Sequence, residues 1–71
     1  MFKGERLKKM REARGLTTQV LANEVGASQS LVSAMENGTR LPNANLLKCL
    51  AIFFNASLDD FYTDGLTGPA Q

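Results

Sequence analysis

The sequence predicts an all-α fold: five short helices packed into one compact domain over residues 1–62, followed by a flexible tail at 63–71. Three observations predict it. Apolar residues recur at intervals of three and four, and nowhere alternate at two as a half-buried strand requires. Residues suited to opening helices (Thr17, Ser28, Ser57) interleave with residues suited to closing them (Gly15, Gly26, Gly38, Asn55). A chain of 71 residues that is 44% apolar can fill one modest core, and is too apolar to remain disordered.

The first helix is expected from about residue 3 to Arg14, with Leu7, Met10 and the aliphatic stem of Arg14 on one face, Phe2 a turn earlier and Gly15 as the stop. Thr17 caps a second helix, Thr18–Val25, that turns Leu21, Ala22 and Val25 inward and ends at Gly26. Ser28 caps a third, Gln29–Glu36, whose buried face is Val32 and Met35 and whose end is Asn37-Gly38. After a loop to Pro42, the fourth helix spans about Asn45 to Phe54 and offers Leu46, Leu47, Leu50, Ala51 and Phe54 to the core. Asn55 tolerates the left-handed conformation that closes it. Ser57 caps a last short helix that carries Asp59 and Asp60 at its positive end and closes on Phe61 and Tyr62. The tail Thr63–Gln71, with Gly65, Gly68 and Pro69, holds too little apolar surface to pack.

Composition removes whole classes of function. There is no histidine, and the single cysteine, Cys49, has no partner for a disulfide. A zinc site, a Ser-His-Asp triad and a Cys-His pair all need residues that are missing, so no catalytic residue, metal or cofactor is expected. No apolar run approaches the roughly 20 residues that span a bilayer, and no signal peptide opens the chain, so no membrane partner is expected. A free thiol without a secretory segment fits a reducing cytoplasm. The net charge of +1 conceals an uneven distribution. Lys3, Arg6, Lys8, Lys9, Arg11 and Arg14 crowd the first 15 residues against only Glu5 and Glu12, and the remainder is acidic on balance. A basic head can hold a polyanion, and equally can be the solvated face of one helix.

The most informative stretch is two short helices around the tight turn Gly26-Ala27-Ser28. A reversal of about 90–120° within three or four residues needs a positive φ, which glycine permits, and a small residue where the helices approach, which Ala22 supplies. The outward face of the second of these helices presents Ser28, Gln29, Ser30, Ser33 and Ala34, with no carboxylate before Glu36. Such residues can approach base edges in the major groove: glutamine pairs with adenine N6 and N7, serine donates or accepts, and alanine meets a thymine methyl. A solvated face would ordinarily carry Glu and Lys, so this one asks for a partner, either duplex DNA or another protein surface.

Here the chain resembles the phage Cro/repressor-type (XRE-like) helix-turn-helix family. The resemblance runs from about Leu7 to Tyr62. It rests on Leu7-x-x-x-Arg11-Glu12-x-x-Gly15-Leu16-Thr17, on Leu21-Ala22-x-x-Val25-Gly26-Ala27-Ser28-Gln29-Ser30-x-Val32-Ser33 and on Met35-Glu36-Asn37-Gly38-x-Arg40-x-Pro42. Leu47-x-x-Leu50-Ala51 and Ser57-Leu58-Asp59-Asp60-Phe61 continue it. The resemblance implies a lambda-repressor-like five-helix fold, operator binding as a homodimer, and the helix from Gln29 as the recognition helix. It implies base contacts from Ser28, Gln29, Ser30, Ser33 and Ala34, with Gln29 the principal one. Phosphate contacts would come from Thr18, Gln19, Asn37, Arg40 and Asn43, and an internal ion pair from Arg11 and Glu36. One departure matters. The family carries glutamine at the first turn of helix two, where it meets a phosphate and braces the recognition helix; this chain has Thr18 there and Gln19 one place later. Val20 and Leu31 also stand where the family is commonly polar.

The fourth helix is more apolar than a core of this size needs, because Leu50, Ala51, Ile52, Phe53 and Phe54 cannot all face inward. Scattered surface hydrophobicity is one reading. The sharper one is a two-fold contact through Ile52, Phe53, Leu58 and Tyr62, which would set two recognition helices about 34 Å apart on a palindromic site. The whole reading is a sequence-specific transcriptional regulator, chiefly a repressor, with no small-molecule ligand expected in so short a chain. The competing reading is a protein-interaction module of the same fold, of antitoxin or anti-repressor type.

Overall fold

The computed structural model describes residues 2–62; the expected tail at 63–71 lies outside the described residues. Four α-helices follow one another: α1 (Gly4–Ala13), α2 (Thr18–Val25), α3 (Gln29–Asn37) and α4 (Ala44–Phe54), and a 3-10 turn, Leu58–Phe61, comes after them. The caps of α2, α3 and α4 are each a side chain with an oxygen in the right place, whereas Lys3, ahead of α1, makes no side-chain cap. Thr17 Oγ1 accepts from Val20 N at 3.1 Å, Ser28 Oγ from Leu31 N at 3.1 Å, and Asn43 Oδ1 from Leu46 N at 2.8 Å. The Asn43 cap starts α4 at Ala44, a residue earlier than its apolar pattern suggests.

The fifth expected helix is not an α-helix. Ser57 N donates to Asp60 Oδ2 at 3.0 Å, and Tyr62 is already extended (φ −110°, ψ 169°), so only four residues separate cap from strand-like chain. Such a stretch closes i→i+3 bonds and has no length for an i→i+4 ladder. The beginning of the chain differs likewise. Phe2 is not on the α1 face but in an antiparallel bridge with Tyr62, and Lys3 N donates to Phe61 O at 2.6 Å. The Phe2 ring stacks on Phe61 at 6.1 Å between centroids and meets Tyr62 edge-on at 6.4 Å.

Leu7, Leu21, Val32, Met35, Leu50 and Phe61 are fully buried, and no polar or charged residue is buried among the described residues. Arg14 leaves the α1 face predicted for its stem. Its guanidinium lies over the rings of Phe53 (5.4 Å) and Phe54 (5.1 Å) and donates to Phe53 O at 3.0 Å, a cation at the negative end of α4. Among the described residues no helix is long and apolar enough to cross a membrane.

Candidate nucleic-acid interface

The geometry of the site begins at the turn between α2 and α3. Gly26 adopts φ 74°, ψ 31°, and Ala27 N donates back to Ala22 O at 2.9 Å, so α2 stops within one residue. Ala22 is fully buried, and its methyl group lets α3 cross close by. Val32 and Met35 then lock the inner face of α3 into the core, leaving Ser28, Gln29 and Ser30 exposed and Ser33 and Ala34 half-buried on the outward side. No charged side chain stands on that face before Glu36. A rigid, neutral helical edge is thereby presented to the surroundings.

The structure brings some predicted residues together and separates others. Gln29 Nε2 donates to Thr18 Oγ1 at 3.0 Å, joining the first residue of α3 to the first of α2. Thr18 thus braces α3, although it is not the glutamine that the resemblance leads one to expect there. Gln19 turns the other way and donates to Asn23 Oδ1 on its own helix at 3.2 Å. Two of the expected contact residues, one for bases and one for phosphate, also have internal duties: Ser28 Oγ caps α3 and Asn43 Oδ1 caps α4. Asn37, expected in the loop, is the exposed last residue of α3, and Arg40 is exposed in the loop after it, which is tied down by Thr39 N and Thr39 Oγ1, both donating to Ala34 O (2.9 and 3.1 Å). Val20 is exposed and Leu31 half-buried.

Arg11 and Glu36 hold α3 against α1 through a two-pronged contact, Nε to Oε2 at 2.7 Å and Nη2 to Oε1 at 3.0 Å. Nη1 donates to Leu16 O at 2.7 Å, and the two side chains are only 12% and 5% exposed. The hydrogen bond with Glu36 raises the Arg11 guanidinium above its ordinary value, against the opposing effect of burial. Both groups are therefore turned into the protein and away from the neutral edge.

The four residues expected to form a partner surface divide into two pairs. Ile52 is 71% and Leu58 49% exposed, and they share an open groove with Ala44, Ala51, Ala56 and Lys48. Phe53 instead packs edge-on against Phe54 at 5.0 Å, and Tyr62 is half-buried against Phe2; both belong to the chain's own core. Sequence reasoning missed the Thr18–Gln29 bond and the role of Gly4, whose backbone lies directly against the carbonyls that end α3. A glycine at the start of a helix was the available signal for the second.

Comparison with known proteins agrees with this geometry. The family model described as "Helix-turn-helix domain" matches residues 4–61. The HTH-type transcriptional activator BcrR of Enterococcus faecalis is 34% identical over 56 residues, which are 79% of this chain; the chain spans only 28% of BcrR. YazB of Bacillus subtilis (strain 168), described as an uncharacterized HTH-type transcriptional regulator, is 33% identical over 57 residues, 80% of this chain and 83% of YazB. Among solved structures, the P22 c2 repressor protein in complex with a synthetic operator superposes with a TM-score of 0.82 at 25% identity, covering 89% of this chain and 96% of that one.

Proposed function

From the premise that this chain belongs to the Cro/repressor-type helix-turn-helix family of transcriptional regulators, we propose that it represses transcription by seating α3 in the major groove of a palindromic operator, as a homodimer. The observation that carries the reading is the edge of α3: exposed, uncharged, and held rigid by Val32, Met35 and the Thr18–Gln29 bond. Such an edge fits the groove, whose base edges are read by neutral donors and acceptors. The likeness to a repressor bound to its operator supports repression by occupancy.

In this reading Gln29, Ser30, Ser33 and Ala34 face bases, with Ser28 reaching them through its hydroxyl proton. Thr18, Gln19, Asn37, Arg40 and Asn43 line the phosphates and fix register without reading sequence. A single module of this size buries only about 600–1,000 Å² on DNA, so tight binding calls for two. The groove between α4 and the 3-10 turn suits a two-fold contact, since it holds both a knob, Ile52, and a floor of small residues, Ala44, Ala51 and Ala56. A two-fold axis lets each copy offer the knob to the other's floor. Because α4 packs chiefly on α2 and on the 3-10 turn, a contact on its outer side leaves α3 free.

Selection of binding sites from random duplexes, with the mass of the complex measured alongside, tests the whole scheme. A palindrome occupied by two chains is expected, and Gln29→Ala should cost about 1–3 kcal/mol and relax one position per half-site. Salt-independent indifference to every duplex would overturn the proposal and leave a protein-binding module in its place.

A further inference from the structure

We propose that Lys48 and Asp59 form reciprocal ion pairs across the homodimer, set the two α4 helices antiparallel, and restrict the groove beside Ile52 to a second copy of this chain; this rests on the two-fold contact proposed above. The floor of that groove is apolar, and Lys48 is the only charged side chain that lines it. Asp59 follows directly on Leu58, another lining residue, and is exposed on the 3-10 turn. Its neighbour Asp60 is turned back onto the chain and accepts from Ser57 N at 3.0 Å. Neither Lys48 nor Asp59 has such a duty: among the described residues, the side chain of each is without a hydrogen bond or an ion pair. An unpaired cation thus stands toward the start of the groove's helix and an unpaired anion just past its end.

The direction of the contact follows from charge. Lys48 lies one turn, about 6 Å, before Ile52 on the same face of α4. If the two α4 helices ran parallel about the Ile52 contact, like positions would face each other and the two ammonium groups would meet. With one helix reversed, each Lys48 extends past the partner's Ile52 toward the end of the partner's α4. There the 3-10 turn carries Asp59, and the last carbonyls of the helix add partial negative charge. Two-fold symmetry makes the pair occur twice. Exposed pairs at a rim add little affinity, because water screens them. Their reversal is costly, since like charges are then held together on both sides of the contact. Ile52 and the alanine floor supply adhesion, and the charges select the occupant: only a chain with a cation and an anion in the two-fold related places fits.

Sedimentation and native mass measurements on the full chain test it, with circular dichroism to confirm that each variant folds. K48E and D59K should each raise the dimer Kd by about 10- to 100-fold at low salt, because each sets like charges against one another at both rims. Mixed in equal amounts, the two variants should pair with each other at close to wild-type strength, since every contact between positions 48 and 59 again joins opposite charges. The double variant K48E/D59K should dimerise by itself for the same reason, and it keeps the wild-type net charge of +1, so its recovery reports the pairing and not bulk attraction. Raising the salt to about 1 M should narrow the gap between the single variants and the wild type. Single variants that dimerise like the wild type, or a mixture and a double variant that show no recovery, would overturn the inference while leaving the homodimer in place. A wild-type chain that stayed monomeric both in solution and on its selected operator would instead overturn the reading beneath it.

Discussion

Replacing Gly4 by alanine adds one methyl group at the tightest backbone approach found at a glycine in the described structure. The new Cβ would collide with Met35 O and would lie 2.7 Å from Glu36 O and 2.9 Å from Glu36 C. All three are backbone atoms at the end of α3, where Gly38 N donates to Met35 O at 3.2 Å, so no rotamer change makes room. The start of α1 has to lift away, straining the Phe2–Tyr62 bridge on one side and the Arg11–Glu36 contact on the other. Overpacking of this kind costs about 1–3 kcal/mol, and a backbone clash belongs in the upper half of that range. Alanine's better helix propensity returns at most about 1 kcal/mol. The net loss is about 2 kcal/mol, which in a domain this small lowers Tm by roughly 8–16 °C. Thermal unfolding followed by circular dichroism, with a urea titration to confirm an unchanged m-value, measures it. A Tm that stayed level or rose would show that propensity outweighs the approach, and would refute the close packing of α1 on α3.

Glu36→Gln leaves the Arg11 guanidinium without its counter-charge in a mostly buried place and should cost about 3 kcal/mol of stability, read from the urea midpoint. Arg40→Ala removes the only cation placed among the proposed phosphate contacts. It should weaken binding to all duplexes alike and reduce the slope of log affinity against log salt by about one unit per protomer; a change confined to one base pair would contradict its placement. Ile52→Asp should leave the fold intact, since the side chain is 71% exposed, yet abolish two-chain complexes on the operator in sedimentation or native mass measurements. Dimers that survived it would move the two-fold contact away from the α4 groove.

Much of the scaffold could be read directly from the chain because its punctuation is local. Thr17 and Ser28 each cap a helix through a bond to a residue three positions on, and Gly26 takes the positive φ that its place in the turn demands; the Asn43 cap of α4 went unread. What escaped reading was contact between elements. Thr18 and Gln29 lie on different helices, eleven positions apart, and no periodicity shows that one side chain would meet the other. Ile52 and Phe53 are neighbours of similar hydrophobicity, and what separates the exposed residue from the half-buried one is contact with Arg14 and Phe54, which no periodicity shows. The final helix failed on length: caps, acids and aromatics all pointed to a helix, but four residues before an extended Tyr62 allow only a tighter turn.

The pairing of Phe2 with Tyr62 has a topological consequence. Entry and exit of the folded unit meet at one spot, so the intervening polypeptide behaves as a closed ring with a seam. A unit of that kind can be spliced into a loop of a host protein as a cassette, or re-cut elsewhere after its seam is stitched, without parting the layers that present the neutral edge of α3.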